Sequence, residues 1–151
     1  MNALFVGAIA TAYAVRDHLN TPYDADFEAA AFRYKVPSNV LRALARTESN
    51  FRADAINRNS NGTEDVGLMQ INSTNFAYLG LTKDKALVAR LNIDAGARFL
   101  NKLRQELGER FSTFTWFAAY NAGSDLTPYP HEYVSKAYLH YTLYSIGRML
   151  A

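Results

Sequence analysis

The chain of 151 residues has no cysteine, which excludes disulfides, thiolate catalysis and cysteine-ligated zinc or iron–sulfur centres. Stability must come from packing alone. Histidine is almost as scarce, and His18, His131 and His140 stand at spacings that match no HExxH-type ligand motif, so no metal site and no cofactor are expected. One-signed charge is missing too. Sixteen basic residues face fourteen acidic ones, and the arginines and lysines are spread along the chain rather than gathered into a nucleic-acid-binding arm. The small positive surplus suits an anionic polymer as well as an ordinary solvated surface. No apolar run is long enough to span a membrane: residues Met1 to Val15 carry no charged side chain, but a spanning helix needs ~20 apolar residues.

That N-terminal run has two readings. Ala10-Thr11-Ala12 and Ala12-Tyr13-Ala14 resemble signal-peptide cleavage triplets, yet no lysine or arginine precedes the run as a secretory n-region requires. Residues 1–20 are therefore read as a retained apolar helix that packs on the domain, a partner or a membrane surface, with a cleaved signal peptide as the alternative. Residues 21–151 form one domain. Nearly half of all residues are apolar, and a chain of this length buries roughly 70% of the surface its unfolded form exposes, so one core and one active site are expected.

Most of the chain has apolar residues at helical spacings of three and four. Helices are expected over Ala25–Tyr34 and from Pro37–Ser38 to Ser49, the second with Val40, Leu41, Leu44 and Ala45 inward. Between Ala55 and Ile71 the pattern turns polar around Asn61-Gly62, a pair suited to the positive φ angles of a tight turn, which predicts one small β-hairpin. Helical patterning resumes over Ser73–Tyr78, then Ile93–Leu107 with its stop at Gly108, Thr113–Ala122 and Glu132–Leu150. The predicted fold is mainly α (α+β), a helical domain with one inserted hairpin.

Glu48 stands at the end of an apolar helix, immediately before the polar stretch. A carboxyl in that position can turn into a cleft whose poor solvation raises its pKa, although glutamate near a helix end is more often simply solvated. Its context is more specific. Glu48-Ser49, then Gly67-Leu68-Met69-Gln70-Ile71, then Ala119-Tyr120-Asn121-Ala122-Gly123 and Tyr133-Val134 follow one another in an order that resembles the soluble lytic transglycosylases of the lysozyme superfamily. The resemblance covers about Pro37 to Lys136. Over Glu48 to Ser73 the chain is also similar, without a gap, to the catalytic helix and hairpin of c-type lysozymes, which places Glu48 on that family's acid and Asp65 on its second carboxylate. Many lytic transglycosylases lack this second acid.

The resemblance implies a lysozyme-like fold and cleavage of the glycan strands of bacterial peptidoglycan. Cleaving a glycosidic bond requires a proton on the leaving oxygen and stabilisation of an oxocarbenium-like centre. Glu48 supplies the proton in either family. A transglycosylase then closes a 1,6-anhydro ring on the sugar's own C6 hydroxyl and needs no second carboxylate, whereas a retaining muramidase uses Asp65 as nucleophile or charge stabiliser. Asp65 is alternatively a hairpin residue bonded to local backbone. By motif, Gly67 allows backbone to approach the sugar, Gln70 and Asn121 present amides and Tyr120 an aromatic face to the glycan, and Tyr133 orients the glutamate. Ser49 binds substrate or caps the helix; Met69 lines the cleft floor or fills the core. Trp116 is read as core. The implied partners are glycan strands, and phage-particle or secretion-machinery proteins through the N-terminal helix. The implied location is the periplasm or cell wall, with a phage particle slightly preferred to a Sec-exported protein because the n-region is missing. A non-catalytic glycan-binding component is the remaining alternative.

Overall fold

A computed structural model describes residues 20–108, 112 and 114–150. The predicted N-terminal helix, residues 1–20, lies outside the described residues except for Asn20. Seven helices, α1 Asp24–Tyr34, α2 Ser38–Ser49, α3 Phe76–Leu79, α4 Lys83–Ala86, α5 Ala89–Leu107, α6 Thr115–Ala122 and α7 His131–Leu150, surround three short strands among the described residues. The strands are β1 Ile56–Arg58, β2 Glu64–Val66 and β3 Ile71–Asn72. The mainly α (α+β) architecture expected from the sequence is therefore present.

α2 is the axis of the molecule. Val40, Leu41, Ala43, Leu44 and Ala45 are all at most 1% exposed, so this helix is enclosed on nearly every side rather than on one stripe. α7 packs along it, α1 packs against α5, and α6 fills the space between α5 and α7. Each enclosed leucine contributes roughly 1.5–3 kcal/mol of transfer free energy. The buried arginine of the helix is ion-paired: Arg42, 6% exposed, bonds Asp24 at 2.9 Å through Nε and Glu28 at 3.0 Å through Nη2, which ties α2 to α1.

Three elements differ from expectation. The polar insert is a three-stranded antiparallel sheet, ordered β1-β2-β3, and not a lone hairpin; β3 is too short for alternation to reveal it. Its first connection is a five-residue loop in which only Gly62 has positive φ, at 83°. Asn61 acts instead through its side chain, accepting from the Thr63 N–H and hydroxyl at 3.1 and 2.8 Å, which is the Asx alternative to a two-residue turn. The segment expected over Ser73–Tyr78 divides into a 3₁₀ turn at Ser73–Asn75 and the single turn α3, because Asn72 caps its start by accepting from the Thr74 N–H at 3.0 Å. α4 went unpredicted, as a four-residue helix carries too little periodicity.

Candidate functional site

The cleft begins where α2 is forced to stop. Asn50 and Phe51 follow Glu48 and Ser49 with φ of 55° and 63°, a left-handed pair that costs roughly 1–2 kcal/mol per non-glycine residue and turns the chain sharply out of the helix. The Asn50 and Phe51 N–H groups close the helix end on the carbonyls of Arg46 and Ala45 at 3.1 and 3.3 Å. Phe51 is held by an edge contact to Phe27, 6.1 Å between centroids. Glu48 is left on the last turn, half-buried, at the wall of a cleft of about 760 Å³.

Across that cleft, register fixes the second carboxylate. Asp65 sits in the middle of β2, opposite Asn57 on β1 and Asn72 on β3, and its two oxygens accept from the side-chain amides of Asn59 at 3.0 Å and Asn72 at 2.7 Å. Its partners are thus side chains and not the local backbone. Glu48 and Asp65 both line the cleft, together with Gln70, Tyr120 and Asn121. The remaining lining combines the amides of Asn57, Asn72 and Asn75 and the cation Arg52 with an apolar wall that includes Ile56, Ile71 and Phe99.

Electrostatics separates the two acids. Burial pushes the Glu48 carboxyl up, and the negative charge of Asp65 adds to that effect, while the Tyr133 hydrogen bond and the Lys136 charge oppose it; the outcome is a pKa raised to about 7. A carboxyl poised there can be protonated or ionised near neutral pH, as a group that must both donate and accept a proton requires. The Tyr133 hydroxyl donates directly to Glu48 Oε1, and burial beside that carboxylate raises the tyrosine's own pKa well above its usual value. Tyr133 therefore stays a donor across the physiological range.

Behind the sheet, a buried amide holds the turn between β2 and β3 in place. Asn92 on α5, 0% exposed, accepts from the Met69 N–H at 2.6 Å and donates to the Val66 and Ala86 carbonyls at 2.9 and 2.8 Å. Gly67 makes room for it: a Cβ there would lie 2.2 Å from the Ala86 oxygen and 2.4 Å from Asn92 Nδ2. Gly96 likewise accommodates Met69, whose Cε would be 2.8 Å from an added Cβ. From the opposite wall, the Tyr120 hydroxyl donates to the Met69 carbonyl at 2.7 Å, and its ring meets Phe99 edge-on at 5.9 Å.

These contacts give structural roles to three of the expected substrate-binding residues, for Ser49 and Met69 the alternative that the sequence already offered. Ser49 is 4% exposed and its hydroxyl is committed to the Leu68 carbonyl at 2.7 Å and the Arg52 N–H at 3.1 Å; it fastens α2 to the turn. Gly67 permits the close approach of Asn92. Met69 is completely buried and belongs to the core. Gln70 does line the cleft, but its amide nitrogen is engaged with the Ala55 and Gly67 carbonyls at 3.2 and 2.8 Å, leaving its oxygen as the group without a protein partner among the described residues. Trp116, 7% exposed, is core.

Sequence reasoning missed Asn59, Asn72 and Asn92. The first two were visible only as members of an asparagine-rich segment, since one asparagine looks like another until strand register is known. Asn92 had a detectable signal: a lone amide beside Ile93 on the apolar side of an amphipathic helix.

A central enclosed helix delivers a poised glutamate to a cleft floored by a small sheet, the arrangement of a lysozyme-like fold. Residues 26–134 match the Transglycosylase SLT domain family, and the chain belongs to it. It is 33% identical over 102 residues to Protein IpgF of Shigella flexneri, covering 65% of each chain. It is 32% identical over 112 residues to Invasion protein IagB of Salmonella typhi, covering 70% of this chain and 67% of that one. A Peptidoglycan-binding-like protein of Escherichia coli O157:H7 is 31% identical over 129 residues, with 77% and 75% covered. The chain thus spans about two thirds of the length of IpgF. The fold is similar to that of the 70 kDa soluble lytic transglycosylase SLT70 from Escherichia coli, with a TM-score of 0.71 at 20% identity over 86% of this chain and 25% of that one.

Proposed function

We propose that this chain cleaves the β-1,4 bond between N-acetylmuramic acid and N-acetylglucosamine in peptidoglycan as a lytic transglycosylase. The observation that carries the reading is the Glu48 carboxyl, held in the cleft by Tyr133 with a pKa near 7. Protonated Glu48 gives its proton to the leaving glycosidic oxygen as the C1–O bond breaks. The resulting carboxylate then removes the proton of the C6 hydroxyl, whose oxygen bonds C1 and closes the 1,6-anhydro ring. No water is consumed, and Glu48 ends protonated for the next turnover. Tyr133 positions the carboxylate, while the Gln70 oxygen, the Asn121 amide and the Tyr120 ring bind the strand. Residues 21–151 are the catalytic unit.

A second reading rests on Asp65. A carboxylate facing the same cleft, fixed by two asparagine amides, suits a retaining muramidase in which water is the final acceptor. Mass spectrometry of the released muropeptides decides between them. Anhydro ends that persist in Asp65→Asn support the transglycosylase; hydrated reducing ends that vanish in that variant would replace it with the two-carboxylate hydrolase.

For biological setting, the compact domain suits local opening of the wall in the periplasm to let a secretion or invasion apparatus through. Relatives named as an invasion protein and as peptidoglycan-binding-like favour that setting over the phage particle suggested by N-terminal composition. Loss of apparatus function in a strain carrying Glu48→Gln, restored by the wild type, is the expected result.

A further inference from the structure

The cleft is lined by amides, two carboxylates and a single cation, Arg52. Several cations in this fold are ion-paired: Arg58 and Lys83 flank Glu64, Arg42 and Arg148 share Glu28, and Arg33 meets Asp94. Arg52 is not among them, and it is the cation that lines the cleft. Its side chain is anchored at the base, with Nε donating to the Ser49 carbonyl at 3.3 Å, and neither terminal nitrogen has a protein partner among the described residues. It is exposed into a cleft that holds two acids and forms an ion pair with neither.

Arg52 makes no hydrogen bond to Glu48, whose carboxyl is held by Tyr133 instead. A guanidinium anchored through Nε offers its two outer nitrogens as a planar fork, the geometry that matches a carboxylate. A neutral polysaccharide has no use for such a group, whereas a muramic acid residue carries an acidic substituent: a lactyl carboxylate where the peptide has been removed, or the carboxylates of the peptide stem where it has not.

We propose that Arg52 is a specificity residue that recognises a carboxylate on the muramoyl substituent of the glycan strand. The proposal rests on the cleft being the glycan site, as argued above, but it does not require that the chain cleave the strand. Arg52 selects which muramoyl residues settle in the cleft and leaves bond breaking to Glu48.

The test is therefore made on binding, in the full chain carrying Glu48→Gln so that bound strands stay intact. Calorimetry would compare four ligands: amidase-stripped strands with free lactyl carboxylates, peptide-bearing strands, and the methyl-esterified form of each. Free-carboxylate strands of one type are expected to bind roughly tenfold tighter than their esters. A preference confined to stripped strands assigns the lactyl group, and one confined to peptide-bearing strands assigns the stem. Adding Arg52→Ala should bring that ratio to about one, and Arg52→Glu should invert it. Equal binding of ester and acid, a preference that survives both Arg52 variants, or no binding to any of the four would overturn the proposal. Wild-type cleavage of the peptide-bearing strands, assayed in parallel, separates this outcome from failure of the enzymatic reading.

Discussion

The enclosed helix α2 and the polar segment that follows it are held by different forces, although only a sharp turn at Asn50 and Phe51 separates them. α2 is fixed by apolar area: five of its side chains have essentially no contact with water, and no single bond dominates. The segment from Arg52 to Asn72 buries only its later half, through Val66, Leu68, Met69 and Ile71. β1 is exposed at all three positions, and its neighbours are placed by directed bonds from Asn59, Asn72, Asn92 and Tyr120. Area fixes where the acid stands; hydrogen bonds fix what faces it. The comparison predicts that damage to the helix will spread through the domain, while damage to the segment will be specific in character and confined to the cleft.

The largest effect is expected at the junction. Glu48→Gln should lower the rate of glycan cleavage by roughly 10²–10⁴-fold with circular dichroism unchanged, because the amide keeps the shape and loses the proton. The same variant should also be more stable than the wild type at alkaline pH. A carboxyl whose native pKa is raised to about 7 from 4.5 destabilises the fold progressively as pH rises from the unfolded value through the native one, and the full cost, about 3 kcal/mol, applies above pH 7. Denaturation of both proteins at pH 4 and pH 8 measures it; equal differences at the two values would refute the raised pKa.

Next come the two kinds of anchor. Leu44→Ala, in the enclosed helix, should cost about 2–5 kcal/mol in urea denaturation by opening a cavity. Asn92→Leu removes one acceptor and two donors that satisfy buried backbone groups, at about 1–3 kcal/mol for each group stranded. The two should differ in activity at a temperature where both remain folded: Leu44→Ala near wild type, Asn92→Leu impaired because the turn behind the cleft loses its hold. Equal activities would erase the distinction between the regions.

Smaller effects are expected around the acid, and they have opposite signs. Tyr133 lowers the Glu48 pKa and Asp65 raises it. The alkaline limb of kcat/KM, where the protonated acid is lost, should therefore move up in Tyr133→Phe and down in Asp65→Asn. Asn72→Ala, which releases one oxygen of Asp65, should shift the limb least. A pH series on the three variants checks the order.

Much of this architecture was legible in the sequence because apolar periodicity reports burial, and α1, α2, α5 and α7 are long enough to show it. Glu48, Asp65, Gln70, Tyr120 and Asn121 could be carried to one cleft by motif because those motifs keep fixed positions relative to the helices that frame them. The residues whose roles stayed open were small or flexible ones. Ser49, Gly67 and Met69 stand in motifs beside the cleft, and their sequence neighbourhood does not say whether they serve the cleft or the interior. Asn92, more than twenty residues further along the chain, holds Gly67 and Met69 to the interior, and the Leu68 carbonyl does the same for Ser49. β3 and α4 escaped notice because two to four residues do not make a period.

The bond from the Tyr120 hydroxyl to the Met69 carbonyl joins the two sides of the cleft beneath the space a ligand would occupy. With Asn92 fastening the same turn to α5, floor and far wall behave as a braced arch, and neither can swing outward alone.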